Sequence, residues 1–245
     1  MYSRRILIEG EFEVLSPFHP GSGEEGALPK ELCDGADSEP RFAKVLCDVS
    51  GKPYLSGTAV KGVLRRCIGA KNGRENARAL LFGEIKSDGK TGKDEGRMGR
   101  LTVYGGSMLS PGNAASLPGG GKTGEGRYIG ARTAIDGASG TADEGKLFHQ
   151  ELIAPGARFG LRMLYAPPHE DSGEGPAWDL LLRLLKTLGR EGGVAFGKGQ
   201  ADGQGRLRLD LKELRATTQD IGEDGDLMES PMEGLETALN AAAAL

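Results

Sequence analysis

The sequence predicts an α+β fold, and three observations predict it. Arg5–Leu15 alternates, with Ile6, Ile8, Phe12 and Val14 on one face and Glu9, Glu11 and Glu13 on the other, which is strand periodicity. Two stretches carry helical stripes instead. Val60, Val63, Leu64 and Cys67 fall at i, i+3, i+4, i+7, and Trp178, Leu181, Leu182, Leu185 and Leu188 make one broad apolar face. Gln204–Leu211 alternates again, Leu207, Leu209 and Leu211 against Arg206, Arg208 and Asp210.

The intervening elements follow in order. Ser16-Pro17 ends the first strand, and Phe18-His19-Pro20-Gly21-Ser22-Gly23 reads as a tight glycine loop. From Glu24 to Pro40 nothing is periodic, so a long loop is expected, with a short strand over Ala43–Asp48. Gly51-Lys52-Pro53 is a turn, and Ser56-Gly57-Thr58 supplies cap hydroxyls for the first helix. Arg74–Leu81 is a second helical piece stopped at Gly83, followed by a hydrophilic insertion over Glu84–Arg97.

Leu101–Tyr104 reads as a strand. Gly105–Gly126 holds eight glycines in 22 residues and too little apolar content to order itself alone. Ala131–Asp136, Lys146–Ala154 and Ala157–Tyr165 are extended, with Pro155-Gly156 as a hairpin turn between the last two. Gly192–Gly205 is a glycine loop. Ser230-Pro231-Met232-Glu233 matches a capping box that opens a terminal helix. The resulting β-α-β-β-α-β order is the ferredoxin-like pattern, which by itself serves many unrelated functions.

Composition narrows the class. The chain has 245 residues, 38 % hydrophobic and 27 % charged, enough for one large domain with insertions. No apolar run reaches the ~18–20 residues of a membrane span, and the first residues lack a signal-peptide core. Three cysteines, Cys33, Cys47 and Cys67, without CxxC spacing suggest neither a disulfide framework nor zinc; a reducing cytoplasm fits. The net charge is −4, but it is unevenly spread. Lys61, Arg65, Arg66, Lys71, Arg74 and Arg78 face one acid, Glu75, whereas acids dominate beyond Leu209. Screening over about 8–10 Å lets such a basic face act locally on phosphates.

Lys61 and Arg65 stand four apart, off the apolar stripe of their helix. A glycine-containing turn feeding a helix N-terminus, with a lysine one turn in, is a sensible phosphate cradle. A solvated basic face is the alternative. Gly192–Gly199 mimics a nucleotide-binding G-x4-G-K loop, but Gly199 stands where a magnesium-holding hydroxyl belongs, and a strand follows rather than a helix.

Pro53–Arg66 resembles the P-Y-[IL]-x-G-[ST]-x-[VL]-K-G-x-[LV]-R signature of the RAMP superfamily, the RNA-binding subunits of CRISPR effector complexes. It departs at Leu55-Ser56, where Ile-Pro is usual. Leu81-Phe82-Gly83 with Gly99-Arg100-Leu101 resembles the LFG…GRL pair of the family. Arg127–Phe159 resembles a segment of type III backbone subunits, with Arg132, Ile135, Asp136, Gly140, Leu147, Phe148, Glu151, Gly156 and Phe159 at matching places.

The resemblance implies a modified ferredoxin-like (RRM-like) fold with a thumb hairpin and glycine-rich insertions. It implies one domain over 1–215, inserted at 84–100 and 105–130, then an acidic linker and helix over 216–245. The implied role is a repeated backbone subunit of a type III effector. It would bind CRISPR guide RNA and target RNA beside copies of itself or related subunits, with no membrane partner.

RNA contacts are implied at Ser56, Gly57, Thr58, Lys61, Arg65, Arg132 and Ile135, and at Gly197, Lys198 and Gly199 of the glycine loop. Ile135–Leu147 would be the thumb that crosses the guide–target duplex and displaces a nucleotide. A loop aspartate is implied to cut target RNA with Mg2+. Asp37 is the first choice, as catalytic group and metal ligand, and Asp34 the second, although ungapped counting from Pro53 lands near Arg41. An acidic loop without catalysis, hence a pure scaffold, is one alternative. A guide-processing ribonuclease using His19 as general base is another.

Overall fold

The alternation at the start of the chain becomes β1 (Ser3–Val14) in the computed structural model, which describes residues 3–33, 40–69, 74–87, 94–114, 121–135, 142–167, 175–197, 203–222 and 224–245. Ile6, Ile8, Phe12 and Val14 are buried, and the glutamates point away from them. The next stretch differs from expectation. Residues 21–27 form β2 (Gly21–Ala27), which pairs antiparallel with β3 (Arg41–Val45), so the Glu24–Pro40 loop reading fails at its start. β2 is glycine, serine and glutamate with Ala27 at its end, and has no apolar face. Its order comes from ladder hydrogen bonds, which leave no hydropathy pattern.

β4 (Tyr54–Ser56) leads straight into α1 (Gly57–Cys67), whose buried face is Gly57, Val60, Val63 and Leu64. α2 (Glu75–Phe82) stops at Gly83, where φ is +82°. The hydrophilic insertion is a two-stranded hairpin, β5 (Gly83–Ser87) with β6 (Asp94–Met98). β7 (Leu101–Val103) and β8 (Gly105–Ser110) both pair with the same later strand. The first residues of the glycine-rich stretch are therefore part of the main sheet, a correction to the insertion proposed over 105–130. Glycine is required there: Gly105 has φ +73°, and Gly106 lies against the Gly160 backbone.

β9 (Lys122–Gly124), β10 (Arg127–Ile135) and β11 (Ala142–Ile153) join β2 and β3 in a five-stranded sheet ordered β2-β3-β11-β10-β9. β12 (Arg158–Tyr165) does not pair with β11. Pro155-Gly156 turns the chain from one sheet into the other, pinned by Gly156 N–H donating to Val14 O at 2.7 Å. That corrects the hairpin expected at this turn. α3 (Pro176–Leu188) buries the predicted stripe, and Trp178 packs its ring 5.3 Å from that of Tyr165.

β13 (Val194–Ala195), β14 (Arg206–Leu209), β15 (Arg215–Ile221), β16 (Leu227–Pro231) and α4 (Leu235–Ala241) complete the described strands and α-helices. The acidic linker expected after residue 215 is thus a β-hairpin. Ser230-Pro231 ends a strand instead of capping a helix, and α4 begins after Gly234 with no side-chain cap. Thr217, Thr218 and Ile221 are β-branched, and their strand preference outweighs the local acidity.

The main sheet runs β13-β14-β1-β12-β8-β4, with β7 also on β12 and the β15–β16 hairpin also on β1. Phe12, Phe18, Phe159 and Phe196 pack edge-to-face, centroids 5.4–6.5 Å apart, where the two sheets meet. Phe18 bridges to Ile153 with reciprocal backbone bonds of 3.1 and 2.7 Å. Among the described residues, no helix is long and apolar enough to cross a membrane.

Candidate nucleic-acid interface

The entry to α1 is built by short-range hydrogen bonds. The Asp48 carboxylate accepts from Ser50 N–H (2.8 Å), Ser50 Oγ (2.7 Å), Lys52 N–H (3.1 Å) and Ser107 Oγ (2.5 Å). It shapes the turn and fastens it to β8. These donors, Ser107 first, hold its carboxyl well below the ordinary 3.8. A carboxyl depressed on folding adds stability that is complete above the unfolded value and is lost as pH falls below it. Asp48→Asn should therefore flatten the acid limb of a melting-temperature profile taken from about pH 6 to about pH 3. An unchanged limb would show that the turn does not depend on this charge.

Ser56 caps α1, its Oγ accepting from Ala59 N–H at 3.2 Å and lying 3.1 Å from Thr58 Oγ1. The serine that departs from the family's usual proline thus acts as an N-cap. Gly57 is buried against the Val103 backbone, so its lack of a side chain has a packing reason. Lys61 and Arg65 project together into a cleft of about 1150 Å³ between α1, β7 and the β5–β6 hairpin. Lys61 Nζ donates to Leu101 O at 3.2 Å, and the Arg65 guanidinium sits 5.7 Å above the Phe82 ring. Burial, then the neighbouring Arg65 charge, lowers the Lys61 pKa. An anion in the cleft would relieve that repulsion.

Arg5, Arg97 and Arg100 line the same cleft, against Glu84 as the acid. Sequence reasoning missed these three, because Arg5 comes from β1 while Arg97 and Arg100 lie on and just after β6, all far in sequence from Lys61. Gly57 and Thr58 line it too.

The remaining predicted residues stand elsewhere. Arg132 and Ile135 are on β10, in the five-stranded sheet, with Arg132 opposite Phe148 and Ile135 opposite Ala142. Gly197 adopts φ +71° against the His19 backbone. Its loop is tied to the C-terminal end of α1 by Arg66, which donates to Ala195 O. Asp34, Asp37, Lys198, Gly199, Asp136 and Gly140 lie outside the described residues.

Glu151 holds the base of the β10–β11 hairpin. It is 4 % exposed, and accepts from Val45 N–H (3.0 Å) on β3 and Thr123 Oγ1 (2.6 Å) on β9, with Arg127 Nη1 at 3.5 Å on β10. A carboxylate buried this deeply needs such compensation, since leaving it unpaired costs several kcal/mol. His19 Nδ1 donates to the Glu151 carbonyl at 2.7 Å, which holds the imidazole on β11.

The helix-free face of the main sheet carries ion pairs. Arg158 bridges Glu11 (2.8 Å) and Asp210 (3.1 Å), Arg208 meets Glu13 (2.6 Å), and Arg162 meets Glu9 (3.6 Å). RRM-type sheets stack bases on exposed aromatics. The register of β1, β12 and β14 puts mutually neutralised charges on this face instead. The α1 cleft differs, gathering Arg5, Lys61, Arg65, Arg97 and Arg100 around Glu84.

Compared with protein families, the chain matches the RAMP superfamily over residues 11–208, and it belongs to that superfamily. Membership carries a CRISPR RNA-binding role. No curated protein matches the chain.

Proposed function

We propose that this protein is the repeated guide-RNA-binding backbone subunit of a type III CRISPR effector, built on a modified ferredoxin-like fold. The order β14-β1-β12 with β7 and β8 on the far side of β12, and α1 and α3 as the two connecting helices, supports the fold reading. α1 then holds guide phosphates through Lys61 and Arg65, and the β10–β11 hairpin is the thumb. Copies of the chain, or related subunits, line up along the guide and present it to target RNA.

The observation that carries this reading is a register. β3 runs parallel to β11 with Phe42 opposite His149, while Ala27 pairs with Arg41. The Arg41 end of the segment holding Asp34 and Asp37 therefore lies beside the part of β11 that continues into the thumb, and the Ala27 end lies one strand further out. Leu147 and Phe148, on that part, are exposed. An acidic segment and an apolar projection start from neighbouring strands, the pairing needed to bend a target and cut it nearby.

The absorbance ratio at 260 and 280 nm of the purified protein tests the proposal, followed by sequencing of bound RNA. Repeat-derived guides are expected; RNA-free protein or random cellular RNA would count against it. Cleavage is the riskier half. Asp37→Ala is expected to keep guide and target binding and to stop Mg2+-dependent target cutting, with stability changed by no more than about 0.5 kcal/mol. If Asp34→Ala alone stops cutting, the assigned residue is wrong. If the wild-type complex never cuts, the subunit is a scaffold.

A further inference from the structure

We propose that the α1 cleft is a subsite for single-stranded RNA, in which phosphates meet Lys61 and Arg65 while bases pack on Ile85 and Met98 of the β5–β6 hairpin. This rests on the RNA-binding reading of the basic face and adds a second wall to it. Pairing of Gly83 with Met98 and of Ile85 with Gly96 puts both apolar side chains on one face of the hairpin. They are 76 % and 92 % exposed, although both line the cleft. Gly96 adds no side chain, and a Cβ there would meet nothing within 4 Å, so that face is open.

A single exposed isoleucine means little. Two adjacent apolar side chains on an otherwise polar hairpin, across from clustered cations, form an amphipathic cleft. Its chemical complement is a strand with anions along one edge and flat apolar surfaces along the other. Unpaired RNA has that form. A duplex hides its bases and presents phosphates outward, leaving the hairpin face without a partner. Tyr104, 49 % exposed, also lines the cleft and adds an aromatic surface where its backbone meets Gly57.

Anisotropy titrations of RNA-stripped protein test this, with a fluorescein-labelled mixed-sequence RNA of about 16 nucleotides, the same strand annealed to its complement, and inorganic polyphosphate as competitor. Wild type is expected to prefer the single strand to both others. Ile85→Ser with Met98→Ser should weaken single-strand binding about tenfold, leaving the salt slope and polyphosphate competition unchanged. Ile85→Leu with Met98→Leu should bind as wild type, which separates lost apolar contact from a disturbed hairpin. If the serine variant binds as tightly as wild type, the hairpin wall is refuted while the basic face stands. If wild type binds no RNA even at low salt, the RNA-binding reading itself fails.

Discussion

Lys61→Glu combined with Arg65→Glu is expected to strip the protein of RNA. Each lost phosphate contact on a single strand removes about 0.7 from the slope of log K against log salt, and reversing two charges adds repulsion to that loss. Affinity should fall by at least about a hundredfold at physiological salt, enough to empty the site during purification. Arg65 is exposed and can change sign at little structural cost. Lys61 is different, because its ammonium donates to the Leu101 carbonyl and a glutamate would set two acceptors face to face. A stability loss of about 1–2 kcal/mol is therefore expected from that position. Lys61→Gln, which can still donate, controls for it. A folded double variant that still carries a full complement of RNA would remove this face from the interface.

Gly57→Ala should be strongly destabilising for the addition of a single methyl. At a helix start, alanine ordinarily gains up to about 1 kcal/mol over glycine. Here the new Cβ would fall well inside the van der Waals radius of the Val103 carbonyl oxygen, and 2.7 Å from its carbonyl carbon. Those are backbone atoms of β7, and Val103 is held in register against Met163 of β12, so nothing can swing aside. The overlap decides the sign, and a loss of about 3 kcal/mol or more is expected. Thermal unfolding would read this as a fall of roughly 6–12 °C. Gly62→Ala is the matched comparison: the same helix, an exposed position, and nothing within 4 Å. It should gain about 0.5–1 kcal/mol. If both substitutions behave alike, the close approach of α1 to β7 is wrong.

Which elements were legible follows from how each obtains its order. β1, β14, α1 and α3 bury one regular face, so Ile6 with Ile8, Leu207 with Leu209, Val60 with Val63, and the Trp178 stripe all announce them. β2, β8 and β15 are ordered by pairing with a neighbour, and Gly21–Ala27 or Gly105–Gly106 carry no trace of that in hydropathy. The basic face was legible because Lys61 and Arg65 are one turn apart. The rest of the cleft was not, since Arg5 and the Arg97–Arg100 stretch meet α1 only in the folded chain. Glu151 was visible only as a motif position; its grip on β3, β9 and β10 is a property of the sheet.

The divided edge of β1 bears on how the chain is made. Phe12–Val14 on that edge pair with β14, and Ser3–Glu9 pair with β15. Arg4 and Asp220, an ion pair at 2.9 Å across the second seam, are 216 positions apart in sequence. β1 waits for a partner synthesised about 200 residues after it, so the loop to be closed is long and folding is slow. Until β15 emerges from the ribosome, a row of unpaired backbone groups stands open on β1, a template for strand addition by any neighbouring chain. The hairpin that closes it carries Asp220, Asp224, Asp226 and Glu229. Charges of one sign on an unpaired hairpin repel other copies of it, which disfavours strand addition before the seam is formed.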